Sequence, residues 1–310
     1  MKNLKVVFMG TPEFAVGVLD ALIKETDVRL VVSQPDKMVG RKKELKSTPV
    51  KLKALENNIE VFQPNKIRED YQRIVQINPD IIITCAYGQI IPKALLDLPK
   101  LGCINVHASL LPKLRGGAPI HKCLIDGYSK TGITIMYMDE KMDSGDIISQ
   151  EEYVIKEDDN VGKLHYILSN IGAELLIKTL PSIINKTNKR IKQNEAEVTY
   201  AYNIKREEEH LDFTKNCIDI YNQVRGLNPW PLANFLLDGK EIKVLNCHYK
   251  IRNVKEKSKI IEITKDSFGI TCNDGIIYLD EIKPFGKKTM TIKQYLNGVD
   301  KNALLNKDIK

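Results

Sequence analysis

Two polar side chains alternate along an apolar run near the middle of the chain. Asn105 and His107 lie two residues apart in residues 103–107, and residues two apart in a strand project from the same face. Such a pair suits oxyanion stabilisation and proton transfer, because an amide donates hydrogen bonds and an imidazole exchanges protons near neutral pH. The structural alternative is a buried histidine bonded to a neighbouring carbonyl, with Asn105 capping a turn.

Several carboxylates follow the next apolar run, 133–138, at a point from which one of them could reach His107. The four eligible residues are Asp139, Glu140, Asp143 and Asp146. Their spacing does not choose among them, and a solvated acidic turn would have the same composition. An amide, an imidazole and a carboxylate without an activated serine or cysteine predict proton transfer and oxyanion stabilisation, and not a covalent enzyme intermediate.

The turn after the first apolar run argues against a dinucleotide cofactor. A dinucleotide site needs G-x-G-x-x-G, so that backbone N–H groups can approach the pyrophosphate. Here Pro12 stands at the second glycine and removes an N–H group. Thr11 as an N-cap and Pro12 at the first helical position would simply begin a helix.

The cysteines and histidines form no metal-binding pattern. The six cysteines are widely spaced without a C-x-x-C pair, which is typical of buried thiols in a reducing compartment. Most histidines are scattered among unrelated elements, whereas a metal site needs convergent ligands. The chain shows neither a signal peptide nor an apolar run of the roughly 20 residues that span a membrane. We expect a cytoplasmic monomer with no metal and no membrane partner.

Short apolar runs alternate with helical patterns in the first half of the chain. The predicted strands are 6–9, 30–33, 81–85, 102–107 and 133–138, and helical spacing covers 12–24, 50–57 and 120–126. The near-continuous isoleucines at 81–83 suit a strand that is covered on both faces. This order predicts an α/β domain with a Rossmann-like, doubly wound, mostly parallel sheet, in which ligands collect at the carboxyl ends of the strands.

The pattern changes after residue 185. A long helical pattern ends there, and the polar, basic residues 186–205 are typical of a linker. Asp238-Gly239 between apolar arms predicts a hairpin, and the short runs 260–264, 269–272 and 276–279 predict a small C-terminal β-barrel of OB-like type. The predicted organisation is a domain at 1–185, a linker at 186–205 and a β domain at 206–310.

Positive charge is local. The net charge is +7, from 47 basic and 40 acidic residues, and residues 36–53 alone hold seven bases against two acids. A lysine-rich loop is most often only solvated. The alternative is a surface for nucleic acid.

Residues 107–116, His-Ala-Ser-Leu-Leu-Pro-Lys-Leu-Arg-Gly, resemble the H-x-S-L-L-P-x-x-x-G signature of the folate-dependent formyltransferases. Collinear matches extend the resemblance over nearly the whole chain, at Asn105, 10–15, 86–88, 138–146 and 229–231. The resemblance is greatest to members that act on initiator methionyl-tRNA. It implies transfer of a formyl group from 10-formyltetrahydrofolate to the α-amine of methionine on initiator tRNA, for translation initiation.

The resemblance also assigns roles to residues. Asn105, His107 and Asp143 match the catalytic trio of the family, and only this likeness selects Asp143 among the four carboxylates. Asn105 and a protonated His107 would donate to the oxyanion, while Asp143 would orient His107. The residues expected to bind the folate are Ser109, Leu110, Leu111, Pro112, Phe14 and Tyr87. For Phe14 and Tyr87, ordinary core packing is the alternative.

The basic segment resembles a tRNA-contacting insertion of the same family. Arg41, Lys42 and Lys43 would contact tRNA phosphates, and the C-terminal domain would continue that surface. One departure from the family is Lys141, which stands at a usual glycine. If that position needed a positive φ, lysine would strain the loop by roughly 1–2 kcal/mol.

Two other functions stay open. A formyltransferase acting on an amino-sugar nucleotide or a purine precursor would have a similar catalytic half. A non-catalytic RNA-binding protein could keep the fold and lose the chemistry. The basic segment and the β domain favour tRNA, because a small substrate needs neither.

Overall fold

The computed structural model describes residues 1–40, 44–305 and 307–309. These residues form two compact units. The first comprises Met1–Pro119, Lys130–Val154 and His165–Tyr202, and the second comprises Ile120–Ser129, Ile155–Leu164 and the chain from Asn203 onward.

The first unit contains a central sheet and a short hairpin. Its strands are β1 (Lys5–Gly10), β2 (Asp27–Val32), β3 (Lys37–Val39), β4 (Glu44–Lys46), β5 (Val61–Phe62), β6 (Ile81–Cys85), β7 (Cys103–His107), β8 (Lys130–Tyr137) and β9 (Ile147–Val154). The sheet order is β5-β2-β1-β6-β7-β8-β9, and β3 pairs with β4 separately. The predicted α/β sheet is confirmed. As expected of a strand covered on both faces, Ile81, Ile82 and Ile83 are fully buried.

The sheet is parallel from β5 to β7 and antiparallel at β8 and β9. Tyr137 at the end of β8 therefore pairs with Ile104 near the start of β7. The acidic loop after β8 does not leave the same end of the sheet as His107 and must fold back toward it.

Helices accompany the sheet. They are α1 (Phe14–Glu25), α2 (Pro49–Glu56), α3 (Gln72–Ile77), α4 (Lys93–Leu96), α5 (Pro119–Ile125) and α6 (Val161–Ile184). Most of α5 falls in the second unit, whereas most of α6 falls in the first. Helix α2 begins at Pro49, where the Thr48 side chain accepts a hydrogen bond from the Lys51 backbone N–H. The helix predicted at 12–24 is confirmed as α1, but its predicted start was wrong, since the helix begins at Phe14 and the Thr11 hydroxyl donates to the Tyr87 carbonyl oxygen and caps no helix.

Helix α6 is the one helix within the described residues with the length and hydropathy of a membrane span. We expected no such segment from the sequence. Its Leu168, Leu176 and Leu180 side chains are fully buried, and a Cβ added at Gly172 would lie 3.0 Å from Val106 Cγ1 on β7. This packing is that of a core helix, and it leaves the opposite face of β7 to Asn105 and His107.

The second unit carries an antiparallel sheet. Its elements are α7 (Cys217–Leu227), β10 (Ala233–Leu237), β11 (Lys240–Ile251), β12 (Ile260–Ile263), β13 (Phe268–Thr271), β14 (Gly275–Pro284), β15 (Met290–Thr291), α8 (Ile292–Leu296) and α9 (Lys301–Leu304). The order is β10-β11-β14-β13-β12, with β15 on β14. Asp238 and Gly239 have φ of 51° and 73° in the predicted hairpin, as a two-residue turn of this type requires. The antiparallel β domain is confirmed, and its closure into a barrel stays a prediction.

The segment interpreted as a linker is largely part of the first unit. Ile191 exchanges both backbone hydrogen bonds with Ile147, at 2.8 and 2.9 Å, and Tyr200 bridges to Arg115. Residues up to Tyr202 therefore belong with the sheet, although their polar composition suggested a free connection. The backbone partners of this segment, Ile147 and Arg115, lie more than 40 residues earlier in the chain. The local sequence therefore gave no sign of these contacts.

Candidate active site

Asn105 and His107 project from the same face of β7. Asn105 is partly exposed, and His107 is only 6% exposed. The strand lies between parallel β6 and antiparallel β8, so both side chains stand on a rigid, hydrogen-bonded support. The predicted pair is thus placed where an amide and an imidazole can act on one substrate.

The amide of Asn105 is oriented by Thr84 on the neighbouring strand. Thr84 and Asn105 are register partners, and the Thr84 hydroxyl donates to Asn105 Oδ1 at 2.8 Å. Because the oxygen is occupied, the Nδ2 group is the part of Asn105 left to donate to a ligand. The role of Thr84 in orienting Asn105 could not be predicted from the sequence, because it depends on the register between β6 and β7.

Replacing Thr84 with valine is expected to lower kcat by about 3- to 10-fold, because one buried hydrogen bond contributes roughly 1 kcal/mol and the amide loses its fixed orientation. KM for the substrates and the thermal unfolding midpoint should change little. Thr84→Ser restores the hydroxyl and should restore kcat. A valine variant with wild-type kcat would show that the amide is held in another way.

The two ring nitrogens of His107 have different surroundings. Nε2 lies 3.1 Å from the carbonyl oxygen of Leu114, and a carbonyl oxygen only accepts, so Nε2 carries a hydrogen in this geometry. Nδ1 lies 3.7 Å from Asp143 Oδ1, which is too long for a direct hydrogen bond. The free lone pair is therefore on Nδ1, on the side of the ring that faces the Asp143 carboxylate.

The structure separates the four eligible carboxylates. Asp143 is the one that lies beside His107. Asp139 accepts the Glu140 backbone N–H at 2.6 Å, Glu140 pairs with Lys93 at 3.1 Å, and Asp146 pairs with Arg190 at 2.8 Å. Geometry and family likeness thus select the same residue.

The loop that carries Asp143 is held at three points. Asp143 Oδ2 accepts the Gly116 backbone N–H at 2.8 Å. The Gln193 amide donates to the carbonyl oxygens of Asp143 and Gly145, each at 2.8 Å. The positive φ of this loop, 50°, is at Asp143 itself and not at Lys141, so the strain considered for a lysine at that position does not arise.

Gln193 is in turn fixed by a buried arginine. Arg115 is 3% exposed, and its Nε donates to Gln193 Oε1 at 2.9 Å while Nη2 pairs with Glu195 at 2.8 Å. The guanidinium also holds the pKa of the Glu195 carboxyl below its usual range. The supporting roles of Gln193 and Arg115 could not be predicted from the sequence, because the two residues are 78 positions apart in the chain.

The residues expected to bind folate fall into two groups. Ser109 is fully buried and its hydroxyl donates to the Lys113 carbonyl oxygen at 2.6 Å, while Leu111 is 3% exposed in a cluster with Met136 and Ile147. Both shape the loop from within. Leu110 and Pro112 are partly exposed and can offer apolar surface to a ligand.

Phe14 and Tyr87 lie in the core of the first unit, each 4% exposed. Phe14 packs edge-to-face on His165, with ring centroids 5.1 Å apart. Burial raises the pKa of Tyr87 to about 12, and burial also raises the pKa of the Cys85 thiol at the end of β6. Both groups are protonated at neutral pH, so neither offers an ionised nucleophile.

One group of three close metal-ligand candidates occurs among the described residues, Cys217, Cys272 and Asp274 in the second unit. Burial raises the pKa of the Cys217 thiol, which disfavours the thiolate that binds metal. The expectation that the protein uses no metal stays a prediction.

Arg41, Lys42 and Lys43 lie outside the described residues. The hairpin that flanks them, β3 and β4, exposes Lys37 and Lys46 to solvent. Two further bases of the segment are paired, Lys51 with Asp36 and Lys53 with Asp20, each at 2.6 Å. Among the described bases of the segment, the two that are exposed, Lys37 and Lys46, thus lie on the hairpin.

Comparison with known proteins identifies two family models in this chain. The formyl transferase model matches residues 3–180, and the model of the formyl transferase C-terminal domain matches residues 203–300. Proteins named methionyl-tRNA formyltransferase from Bacillus cereus (strain B4264) and Bacillus mycoides (strain KBAB4) are each 51% identical over 300 residues, which covers 95% of this chain and 96% of each relative.

Solved structures share the fold at low identity. An N-formyltransferase from Helicobacter canadensis in complex with folinic acid and dTDP-3-aminofucose is 20% identical, with a TM-score of 0.66, over 92% of this chain and 100% of that chain. HypX from Aquifex aeolicus in complex with tetrahydrofolic acid is 13% identical, with a TM-score of 0.63, over 96% of this chain and 47% of that chain.

Proposed function

This chain belongs to the formyltransferase family, and on that premise we propose that Asn105, His107 and Asp143 carry out its chemistry. The reaction is transfer of a formyl group from a folate donor to the methionine of initiator methionyl-tRNA. We propose 10-formyltetrahydrofolate as the donor. The site assignment is supported by the position of Asn105 and His107 on one face of β7, with Asp143 Oδ1 3.7 Å from His107 Nδ1.

The nucleophile needs little activation. An α-amine has a pKa of roughly 7–8, so a large fraction is neutral near physiological pH. His107 Nδ1 has a free lone pair and can take the proton that the amine nitrogen must lose as it becomes an amide. Asp143 faces Nδ1 and would keep the imidazole ring in the orientation that this transfer needs.

Attack by the amine forms a carbon–nitrogen bond at the formyl carbon and places negative charge on the formyl oxygen. Asn105 Nδ2 can donate to that oxygen, since Thr84 occupies the other end of the amide. The bonded amine nitrogen now carries positive charge and loses a proton to His107 Nδ1. The oxygen then re-forms its double bond, the carbon–nitrogen bond to the donor breaks, and the departing nitrogen takes that proton from Nδ1. These groups supply donors and a proton carrier, and we propose that the reaction uses no metal.

The donor fits the loop that follows His107. Leu110 and Pro112 are partly exposed in the segment that follows β7, and they would hold an aromatic ring system by apolar contact. Ser109 and Leu111 would keep the loop in shape from the core. Phe14 and Tyr87 would support the folate site only indirectly, by packing behind the residues that contact the donor, because so little of either side chain is exposed.

We further propose a monomer that works in the cytoplasm. All six cysteines are buried and none is in a disulfide, as is typical of a reducing compartment. Small acceptors such as an amino-sugar nucleotide or a purine precursor are disfavoured, because the relatives that are 51% identical over nearly the whole chain act on methionyl-tRNA by name.

The direct test is formylation in vitro. The purified protein is incubated with 10-formyltetrahydrofolate and either charged or uncharged initiator tRNA, and formyl-methionine is measured after hydrolysis of the ester. We expect product only with the charged tRNA. Formylation of a dTDP-amino sugar without formylation of the tRNA would contradict the proposal, and tRNA binding without turnover would support a non-catalytic RNA-binding protein.

Replacing Arg41, Lys42 and Lys43 together with alanine is expected to raise KM for charged tRNA about tenfold or more and to leave folate affinity unchanged. Each lost phosphate contact also flattens the dependence of log affinity on log salt by a slope of about 0.7–0.9. The measurement is KM at several salt concentrations.

The matched control removes the same charge elsewhere in the first unit, at Lys66, Lys130 and Lys178. These side chains are 64%, 55% and 68% exposed. If both triple variants show the same KM and salt slope, the 41–43 segment has no special role in binding tRNA.

A further inference from the structure

Two tyrosines near the end of the first unit form an exposed stack. Tyr200 and Tyr202 are 51% and 63% exposed. Their ring centroids are 5.6 Å apart and the ring planes differ by 6°. Large aromatic side chains normally bury most of their surface, so a parallel pair that faces solvent is a candidate binding surface.

The stack faces outward because the residue between the tyrosines faces inward. Ala201 is fully buried, and a Cβ added at Gly116 would lie 2.7 Å from the Ala201 carbonyl oxygen. Side chains alternate along an extended segment, so Tyr200 and Tyr202 share the opposite, solvent-facing side. A side chain at position 116 would not fit without moving the Ala201 backbone.

The same segment is bonded to the loop that holds the catalytic residues. The Leu114 backbone N–H donates to Thr199 Oγ1 at 2.9 Å, and the Ala201 N–H donates to the Arg115 carbonyl oxygen at 2.7 Å. Leu114 and Gly116 are the residues whose main chains contact His107 and Asp143. The backbone that carries the tyrosines is therefore about 5 Å, one strand spacing, from this loop.

The substrate brings unpaired bases to this part of the molecule. The reacting amine belongs to an amino acid esterified to the last ribose of the tRNA, and the 3′ end of a tRNA is single-stranded. When the amine reaches His107, the last nucleotides of the tRNA must lie close to the protein surface around His107. Single-stranded bases bind proteins mainly by stacking on aromatic rings, which tolerates any base.

We propose that Tyr200 and Tyr202 form a stacking platform for an unpaired base at the 3′ end of the charged tRNA. The proposal rests on the function proposed above and adds a binding site for the nucleotides next to the reacting group. Lys113 is exposed in the adjoining loop and can meet a phosphate of the same strand.

The test uses tRNA with 2-aminopurine at one unpaired 3′ position, because the fluorescence of this base falls when it stacks. We expect quenching with the wild-type protein, loss of quenching with the Tyr200→Ala/Tyr202→Ala variant, and retained quenching with the double phenylalanine variant. KM for charged tRNA should rise about 5- to 100-fold in the alanine variant, from the usual contribution of one stacked base, while kcat at saturating tRNA changes less than about threefold.

The control is Tyr166→Ala, which removes a tyrosine that is 72% exposed on α6 and should leave both readouts unchanged. Folate binding checks that the alanine variant is folded. Unchanged quenching and KM in the alanine variant would overturn the platform. Quenching needs no turnover, so it judges the platform even if the wild-type protein formylates no tRNA, an outcome that would instead remove the proposed function.

Discussion

Replacing His107 with alanine is expected to lower kcat by about 100- to 10,000-fold, the usual contribution of a positioned acid–base group. His107 Nδ1 carries the free lone pair beside Asp143, and no other ring nitrogen at the end of β7 can take its place among the described residues. KM for the folate donor should change much less than kcat, because the proposed contacts to the donor are made by Leu110 and Pro112. The measurement is single-turnover formylation of methionyl-tRNA.

Two further variants separate chemistry from structure. His107→Gln keeps an amide N–H that can donate to the Leu114 carbonyl oxygen, but an amide cannot act as an acid or base near neutral pH. Its kcat should be as low as that of the alanine variant, and its thermal unfolding midpoint should be higher. His248→Ala removes a histidine that is 59% exposed on the second unit, and kcat should be unchanged. An alanine variant at His107 within threefold of wild-type kcat would disprove the proposed proton carrier.

The catalytic strand could be predicted from sequence because its signals are local. Alternation over five residues places Asn105 and His107 on one face of a strand, and the structure has that strand at the same residues. The Asp238-Gly239 hairpin was predictable for the same reason, since two adjacent residues determine the turn.

The rest of the site depends on contacts between distant parts of the chain. The choice of Asp143 depends on a loop that folds back after an antiparallel strand, which alternating apolar runs do not reveal. Gln193 supports that loop from a segment whose composition indicated a free linker. Residue type predicted the kind of chemistry, whereas the groups that orient it became visible only in three dimensions.

Replacing Asn105 with alanine is expected to lower kcat by about 100- to 1000-fold, the cost of removing one donor to a developing oxyanion. The residue is partly exposed, so the folded state should lose little stability. The Thr84 hydroxyl would turn to donate to the Ile104 carbonyl oxygen, which lies 3.3 Å away, so this buried donor would not be left without a partner.

Asn105→Asp makes the stricter comparison, because it keeps the shape but replaces a neutral amide that donates hydrogen bonds with a negatively charged carboxylate that only accepts them. The Thr84 hydroxyl can still donate to one carboxylate oxygen, so the side chain stays in place. The other oxygen then faces the position of the oxyanion with negative charge, and kcat should fall below that of the alanine variant. If Asn105 acted only by packing, the aspartate variant would instead be the faster of the two, since it preserves the volume and the bond to Thr84.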